Sequence, residues 1–79
     1  MNYGKVELDG TEVELTESAY LLNNPDYPLM YQAEGIRVDD GAEVLVQWDF
    51  ERYMSREEFD AVDDEGTLPW DLVDSIETL

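Results

Sequence analysis

The sequence predicts an α+β fold: a four-stranded antiparallel sheet made of two β-hairpins, with one or two short C-terminal helices packed on its apolar face. Asp9-Gly10 and Asp40-Gly41 each stand between segments in which apolar and polar residues alternate, which is a strong local signal for a hairpin. After Ser55 the spacing of apolar residues changes to that of a helix. The chain of 79 residues is expected to form one domain, residues 1–79.

The first hairpin turns at Asp9-Gly10. A two-residue turn there predicts the pairs Lys5–Glu14, Val6–Val13, Glu7–Glu12 and Leu8–Thr11. Because successive side chains of a strand point to opposite faces, the apolar residues share one face and the glutamates share the other.

The second hairpin turns at Asp40-Gly41. The same turn type predicts the apolar-face pairs Tyr31–Phe50, Ala33–Trp48, Gly35–Val46 and Arg37–Val44, and the opposite-face pairs Gln32–Asp49, Glu34–Gln47 and Ile36–Leu45. Small residues oppose large ones on the apolar face, which favours this register. Pro25 and Pro28 place a loop between the hairpins, and Ala19 to Leu22 either extends the second strand or forms a short turn.

The last third of the chain carries two helix signals. Ser55 with Glu58 fits a capping box, which predicts a helix over about residues 56–62 with Phe59 and Val62 turned inward. Pro69 can open a second helix, in which Leu72, Val73, Ile76 and Leu79 recur at helical spacing. With Trp70, these residues are expected to pack on the apolar sheet face.

Charge is the most informative property of the composition. Twenty-one Asp and Glu oppose four Lys and Arg, which gives a net charge of -17. Residues 1–38 contribute -5 and residues 39–79 contribute -12, with fourteen acids in the second part. Such a charge excludes ordinary binding to nucleic acid or to an anionic membrane, and it favours a basic protein partner.

The chemistry available to the chain is restricted. Cys is absent and His is absent, so thiolate metal sites, disulfides and the commonest general base are excluded. We therefore expect no enzyme activity and no cofactor. The sequence Asp63-Asp64-Glu65 could bind calcium but lacks the spacing of an EF-hand loop. The absence of an apolar membrane span and of a signal segment predicts a cytoplasmic protein.

Carboxylates are expected to line one face of the sheet. Glu7 falls directly opposite Glu12 in the predicted register, and like charges in that position destabilise a strand pair. Glu34, Glu43, Asp49 and Glu51 extend the acidic face along the second hairpin. The plainer interpretation is that half-exposed antiparallel sheets put polar residues outward, although Glu is depleted in strands.

The aromatic residues are predicted either to pack in the core or to lie at a protein interface. Trp48 and Trp70 lie within apolar periodicities and are predicted to be core residues rather than a ligand cage. Tyr27 and Tyr53 flank predicted loops, where exposed tyrosines would suit a protein interface.

In its size, its lack of Cys, its acidic sheet face and its acidic segment at residues 57–65, the chain resembles the small acidic inhibitors that phages use against host defence, the DNA mimics and anti-CRISPR proteins. That resemblance implies a stoichiometric inhibitor, a monomer or weak dimer in the host cytoplasm, that occupies the DNA-binding surface of a CRISPR effector subunit. The expected partner-binding residues are Glu7, Glu12, Glu14, Glu34, Asp49, Glu51, Glu57, Glu58, Asp60, Asp63, Asp64 and Glu65.

Two other classes of function stay open. The first is a different protein-binding module, such as a small phage or plasmid accessory subunit. The second is halophilic adaptation, in which the charge keeps a protein of unrelated role in solution at high salt. One Lys against three Arg, together with the excess of acids, agrees with that second class.

Overall fold

The protein is a curled antiparallel β-sheet with little helix. The computed structural model describes residues 3–22, 25–26, 29–63 and 68–79. Its elements are β1 (Lys5–Leu8), β2 (Thr11–Leu15), β3 (Tyr20–Leu21), β4 (Met30–Arg37), β5 (Glu43–Asp49), a 3-10 helix (Phe50–Arg52), α1 (Arg56–Asp60) and β6 (Ser75–Thr78). The strand order is β1-β2-β4-β5-β6, and β3 pairs with β4 beside β2. The described chain therefore has six strands, where the sequence predicted four.

The first hairpin has the predicted turn and the predicted register. All four pairs from Lys5–Glu14 to Leu8–Thr11 are present. Asp9 and Gly10 have φ angles of 52° and 82°. Positive φ at both central residues is the geometry of a type I′ turn, whose twist matches that of the strands it joins.

The second hairpin differs from the prediction by two residues. Tyr31 pairs with Trp48 and Gly35 with Val44, whereas a two-residue turn would place Trp48 opposite Ala33. The turn is longer than predicted because Arg37 and Ala42 close a four-residue loop, with the N–H of Arg37 donating to the carbonyl of Ala42 at 2.8 Å. A shift of two residues keeps every side chain on its predicted face, because side chains alternate with a period of two.

The segment from Ala19 to Leu22, predicted either to extend the second strand or to form a short turn, contains a separate short strand, β3, which follows β2 after an interruption. Tyr20 and Leu21 pair with Gln32 and Tyr31 of β4. Between β2 and β3 the carboxylate of Glu17 accepts the backbone N–H of Glu34 at 2.7 Å. A side chain thus supplies the hydrogen bond that β4 would otherwise lack at this point.

The predicted second helix is wrong, since residues 75–78 form the strand β6. This strand pairs Ile76 with Val46 and Glu77 with Leu45. The N–H of Asp74 and that of Leu79 donate to β5 beyond the two ends of β6, each at 2.9 Å. Pairing here provides hydrogen bonds for the second edge of β5, whose inner-face side chains are buried. A helix in the same place would leave those backbone groups without partners.

The core lies on one side of the sheet, defined here as the inner face. Val13, Ala33, Val44, Val46 and Trp48 project from it and are fully buried. Trp70 crosses this face with its ring edge-on to Trp48, at a centroid distance of 5.4 Å. Trp48 belongs to the core, as the sequence predicted, whereas Trp70 is half-buried and packs against the core.

The capping box at Ser55 is present, and α1 packs on the inner face. The side-chain oxygen of Ser55 accepts the N–H of Glu58, and the carboxylate of Glu58 accepts the N–H of Ser55. Phe59 lies 6.2 Å from the ring of Tyr31, and Val62 also packs against the core, so both point inward as predicted. The helix ends at Asp60, two residues earlier than expected.

Candidate binding surface

The outer face of the sheet carries most of the predicted carboxylates of both hairpins, but Glu51, predicted to extend this face, lies in the 3-10 helix after β5. Glu7, Glu12, Glu14 and Glu34 are all exposed there, on the side opposite the core. Glu7 lies directly across from Glu12, as the predicted register requires. Opposed pairs in an antiparallel sheet hold their Cβ atoms about 5 Å apart, so these two charges repel each other.

Two rows of residues across the outer face alternate acid, apolar, acid. In the first row Glu14 and Glu43 flank Ile36. In the second row Glu34 and Glu77 flank Leu45. We call these six residues the outer patch: Glu14, Glu34, Ile36, Glu43, Leu45 and Glu77.

The outer patch combines exposed charge with half-buried apolar surface. Its four glutamates are exposed, whereas Ile36 and Leu45 are half-buried between them. An apolar centre with a charged rim is the usual arrangement of a protein–protein interface. The sequence placed Ile36 and Leu45 on this face but did not show that each lies between two carboxylates.

A neutral row bounds the outer patch on one side. Gln47 accepts from the hydroxyl of Ser75 at 3.1 Å and donates to Gln32 at 3.4 Å, and Gln32 donates to the hydroxyl of Tyr20. These side chains bond to one another across four strands. They are therefore less available to a partner than the unbonded carboxylates of the neighbouring rows.

The three arginines are engaged with acids inside the chain. Arg37 lies 2.8 Å from Asp40, Arg52 lies 3.1 Å from Asp74, and Arg56 lies 3.4 Å from Asp60. In the described part of the chain, no ion pair within 4 Å involves a glutamate of the outer patch. The negative charge of the outer patch is thus left to solvent or to a partner.

The Arg37–Asp40 pair belongs to the second hairpin loop. Hydrogen bonds from the Arg37 guanidinium, and then from the backbone N–H of Ala42, lower the pKa of Asp40 to about 2. The side-chain hydrogen bond between Arg37 and Asp40 also raises the pKa of Arg37. Asp40 is therefore a structural carboxylate that fixes the loop.

The other predicted site residues do not join the outer patch. Five of them are exposed: Glu51, Glu57, Glu58, Asp60 and Asp63. Glu57, Glu58 and Asp60 belong to α1, which lies on the inner side of the sheet because Phe59 packs against Tyr31 there. Glu51 lies in the 3-10 helix before α1, and Asp63 follows α1. Asp64 and Glu65 lie outside the described residues, as does Tyr27.

Three predicted contact residues have structural roles instead. Asp49 caps the 3-10 helix by accepting the N–H of Glu51 at 3.2 Å. Glu58 completes the capping box and Asp60 pairs with Arg56. These carboxylates already have partners within the chain, so they are poorer candidates for contact with another protein.

Glu77 was missed because the sequence interpretation placed it in a helix. The one signal for a strand was the presence of β-branched Ile76 and Thr78 on either side of it, which is typical of strands. Tyr53, expected at an interface, is half exposed beside α1 and away from the outer patch.

The structure offers no preformed metal site or membrane span among the residues it describes. No group of three or more acidic residues is arranged to hold a metal ion there. No helix in the same ranges is long and apolar enough to cross a membrane. No family model matches the chain, and neither the curated proteins nor the solved structures contain a significant match.

Proposed function

We propose that the protein binds the basic, DNA-binding surface of another protein through its outer patch, and that it thereby competes with DNA. The observation that carries this proposal is the pair of rows in which Ile36 and Leu45 each lie between two exposed glutamates. An inhibitor of a host defence complex, such as an anti-CRISPR protein directed at a DNA-binding effector subunit, is the form of this function that we favour.

The chemistry of the outer patch suits lysine and arginine side chains. Their aliphatic stems pack on apolar surface while their charged heads stay in polar surroundings. A stem on Leu45 would leave its head within reach of Glu34 or Glu77, which lie opposite Leu45 on the two neighbouring strands. A DNA-binding groove is rich in such side chains because they neutralise phosphates.

The energetics favour many weak contacts over one strong contact. An exposed ion pair contributes about 0–1 kcal/mol, so a single Glu→Gln change should be nearly silent. The net charge of -17 should also accelerate the encounter with a basic partner. We therefore expect a fast association rate that falls steeply as salt is added.

The test compares two charge-reversed variants with the same change in net charge. The first changes Glu14, Glu34 and Glu43 of the outer patch to Lys. The matched control changes three other exposed carboxylates to Lys. They are Glu51, Glu57 and Asp63, which lie outside the outer patch. Both variants are first checked for native circular dichroism.

The readout is DNA competition on a purified partner. Wild-type protein is used to capture partners from a prokaryotic lysate, and each recovered DNA-binding protein is then titrated with labelled duplex in the presence of the three proteins. We expect wild type and the control to displace DNA and the outer-patch variant to fail. Equal activity of both variants, or a partner that binds DNA and wild type together with unchanged DNA affinity, would contradict the proposal.

Halophilic adaptation is the second candidate, and one observation favours it. Exposed carboxylates such as Asp9, Asp39, Glu51 and Asp63 also lie away from the outer patch. A domain adapted to high salt would need molar salt to fold, whereas the proposed inhibitor folds at low salt and loses its partner as salt rises. Thermal melts across a salt series distinguish the two.

A further inference from the structure

A cleft opens on the inner face where β1 forms the edge of the sheet. Its volume is about 440 Å³, within the usual range of ligand-binding cavities. Tyr3, Val6, Leu15, Ala19 and Trp70 line it, with Trp48 behind them. The lining is mainly apolar and aromatic, so the cleft suits one bulky apolar side chain.

A smaller cavity of about 260 Å³ adjoins the cleft along β1. The two cavities share Lys5, Val6 and Asp71 as lining residues, so they lie side by side along β1, and we call the pair the groove. The second cavity is completed by Glu7 and Glu12. One end of the groove is therefore aromatic and the other carries three carboxylates.

A groove with one aromatic end and one acidic end suits an occupant in which an apolar group lies next to a cation. An apolar side chain would contact Trp70 and Tyr3, while a neighbouring cation would contact Asp71, the carboxylate that lines both cavities, with Glu7 and Glu12 beside it. A cation near the rings would also gain from their π faces. An anionic ligand is disfavoured, since the one cation of the groove, Lys5, stands among three carboxylates in a chain of net charge -17.

We propose that this groove binds a segment of the basic partner in which a bulky apolar residue stands next to an arginine or lysine. The inference rests on the proposed function, because it assumes a basic protein partner. Glu7 and Glu12 lie on the outer face and also line the groove. A partner seated on the outer patch can therefore extend around the β1 edge and insert its apolar residue on the inner side.

A peptide probe tests the groove without the partner. Acetyl-Phe-Arg-amide is titrated into labelled protein while the indole N–H signals of Trp48 and Trp70, the two tryptophans of the chain, are followed by NMR. We expect saturable shifts, larger for Trp70, which is half-buried and lines the cleft. Acetyl-Phe-Glu-amide and acetyl-Gly-Arg-amide, which lack the cation or the apolar group, should bind much more weakly.

Two variants and one control locate the binding. Ala19→Phe fills the cleft and should abolish the shifts, and Asp71→Asn, which leaves the core untouched, should weaken binding about threefold. The control Asp39→Asn removes an exposed carboxylate from the hairpin loop, outside the groove, and should bind the probe like wild type.

The outcomes separate this inference from the proposed function. Equal binding of the three peptides, or an Asp71→Asn variant that binds like wild type, would overturn the groove assignment. Protein that still displaces DNA from its partner after Ala19→Phe would likewise remove the groove from the interface and leave the outer patch in place. Specific binding of the Phe-Arg probe with no DNA competition would support the groove and refute competition with DNA.

Discussion

Replacing Trp48 should test the core more sharply than any other single change. Trp48 is fully buried, its indole N–H donates to the carbonyl of Trp70 at 2.8 Å, and its ring meets that of Trp70 edge-on. Removing a buried tryptophan side chain in Trp48→Ala costs about 3–5 kcal/mol. A domain of 79 residues has a total stability of only about 4–12 kcal/mol, so this change should remove from about a quarter to all of it.

Trp48→Phe is the informative variant because it should still fold. It keeps an aromatic ring but removes the hydrogen bond from the indole N–H to the carbonyl of Trp70, a loss of about 1–3 kcal/mol. The smaller ring adds a cavity, and we expect a total decrease of about 2–4 kcal/mol in the free energy of unfolding. Urea unfolding followed by far-ultraviolet circular dichroism measures this, because fluorescence would change with the tryptophan itself.

The control is Tyr53→Phe, an aromatic change at a half-exposed position that should stay within about 0.5 kcal/mol of wild type. A double-mutant cycle of Trp48→Leu with Trp70→Leu, which removes both rings, should give a coupling energy of about 0.5–1.5 kcal/mol from the edge-on contact. A Trp48→Phe variant as stable as the Tyr53→Phe control would refute the central position of Trp48.

Three further predictions follow from local geometry. Gly35→Ala should lower the free energy of unfolding by about 1–3 kcal/mol in urea titrations, because the new Cβ would lie 2.5 Å from Cγ1 of Val13 and 2.8 Å from a backbone carbonyl oxygen of β2. Glu12→Lys should raise that free energy by about 0.5 kcal/mol, seen as a higher Tm, since it replaces repulsion across β1 and β2 with attraction; an unchanged or lower Tm would contradict this. Asp40→Asn should lower the Tm at neutral pH. Since the pKa of Asp40 falls from 3.8 to about 2 on folding, the difference from wild type should be complete above about pH 4 and should disappear as the pH falls to about 2; a difference that persists at the lowest pH would count against the Arg37 contact.

The parts of the fold that local chemistry determines could be predicted from the sequence. Asp9 and Gly10 both adopt positive φ, which few other dipeptides do as readily, and their turn fixes the register of β1 and β2. The capping box likewise depends only on neighbouring residues, Ser55 and Glu58. At Asp40-Gly41 the dipeptide is compatible with two loop lengths, and the longer one is stabilised by the Arg37–Asp40 contact, which no turn pattern specifies.

The end of the chain could not be predicted because a distant strand determines it. Leu72, Val73, Ile76 and Leu79 fit a helix by spacing alone, and short apolar patterns do not separate helix from strand. Residues 75–78 form a strand because the otherwise unpaired edge of β5 offers them backbone hydrogen bonds. The same error hid Glu77, so the sequence placed Leu45 on the acidic face but did not show that it lies between two glutamates.

The two outermost strands of the sheet, β1 and β6, each present a side whose backbone groups could pair with another molecule. Glu7 and Glu77 stand on these strands, so two copies that approach edge to edge bring like charges together at neutral pH. The net negative charge of the chain falls as the pH approaches its isoelectric point near 4.1. We expect self-association by strand addition to increase as the pH is lowered toward that value, which light scattering across a pH series would measure.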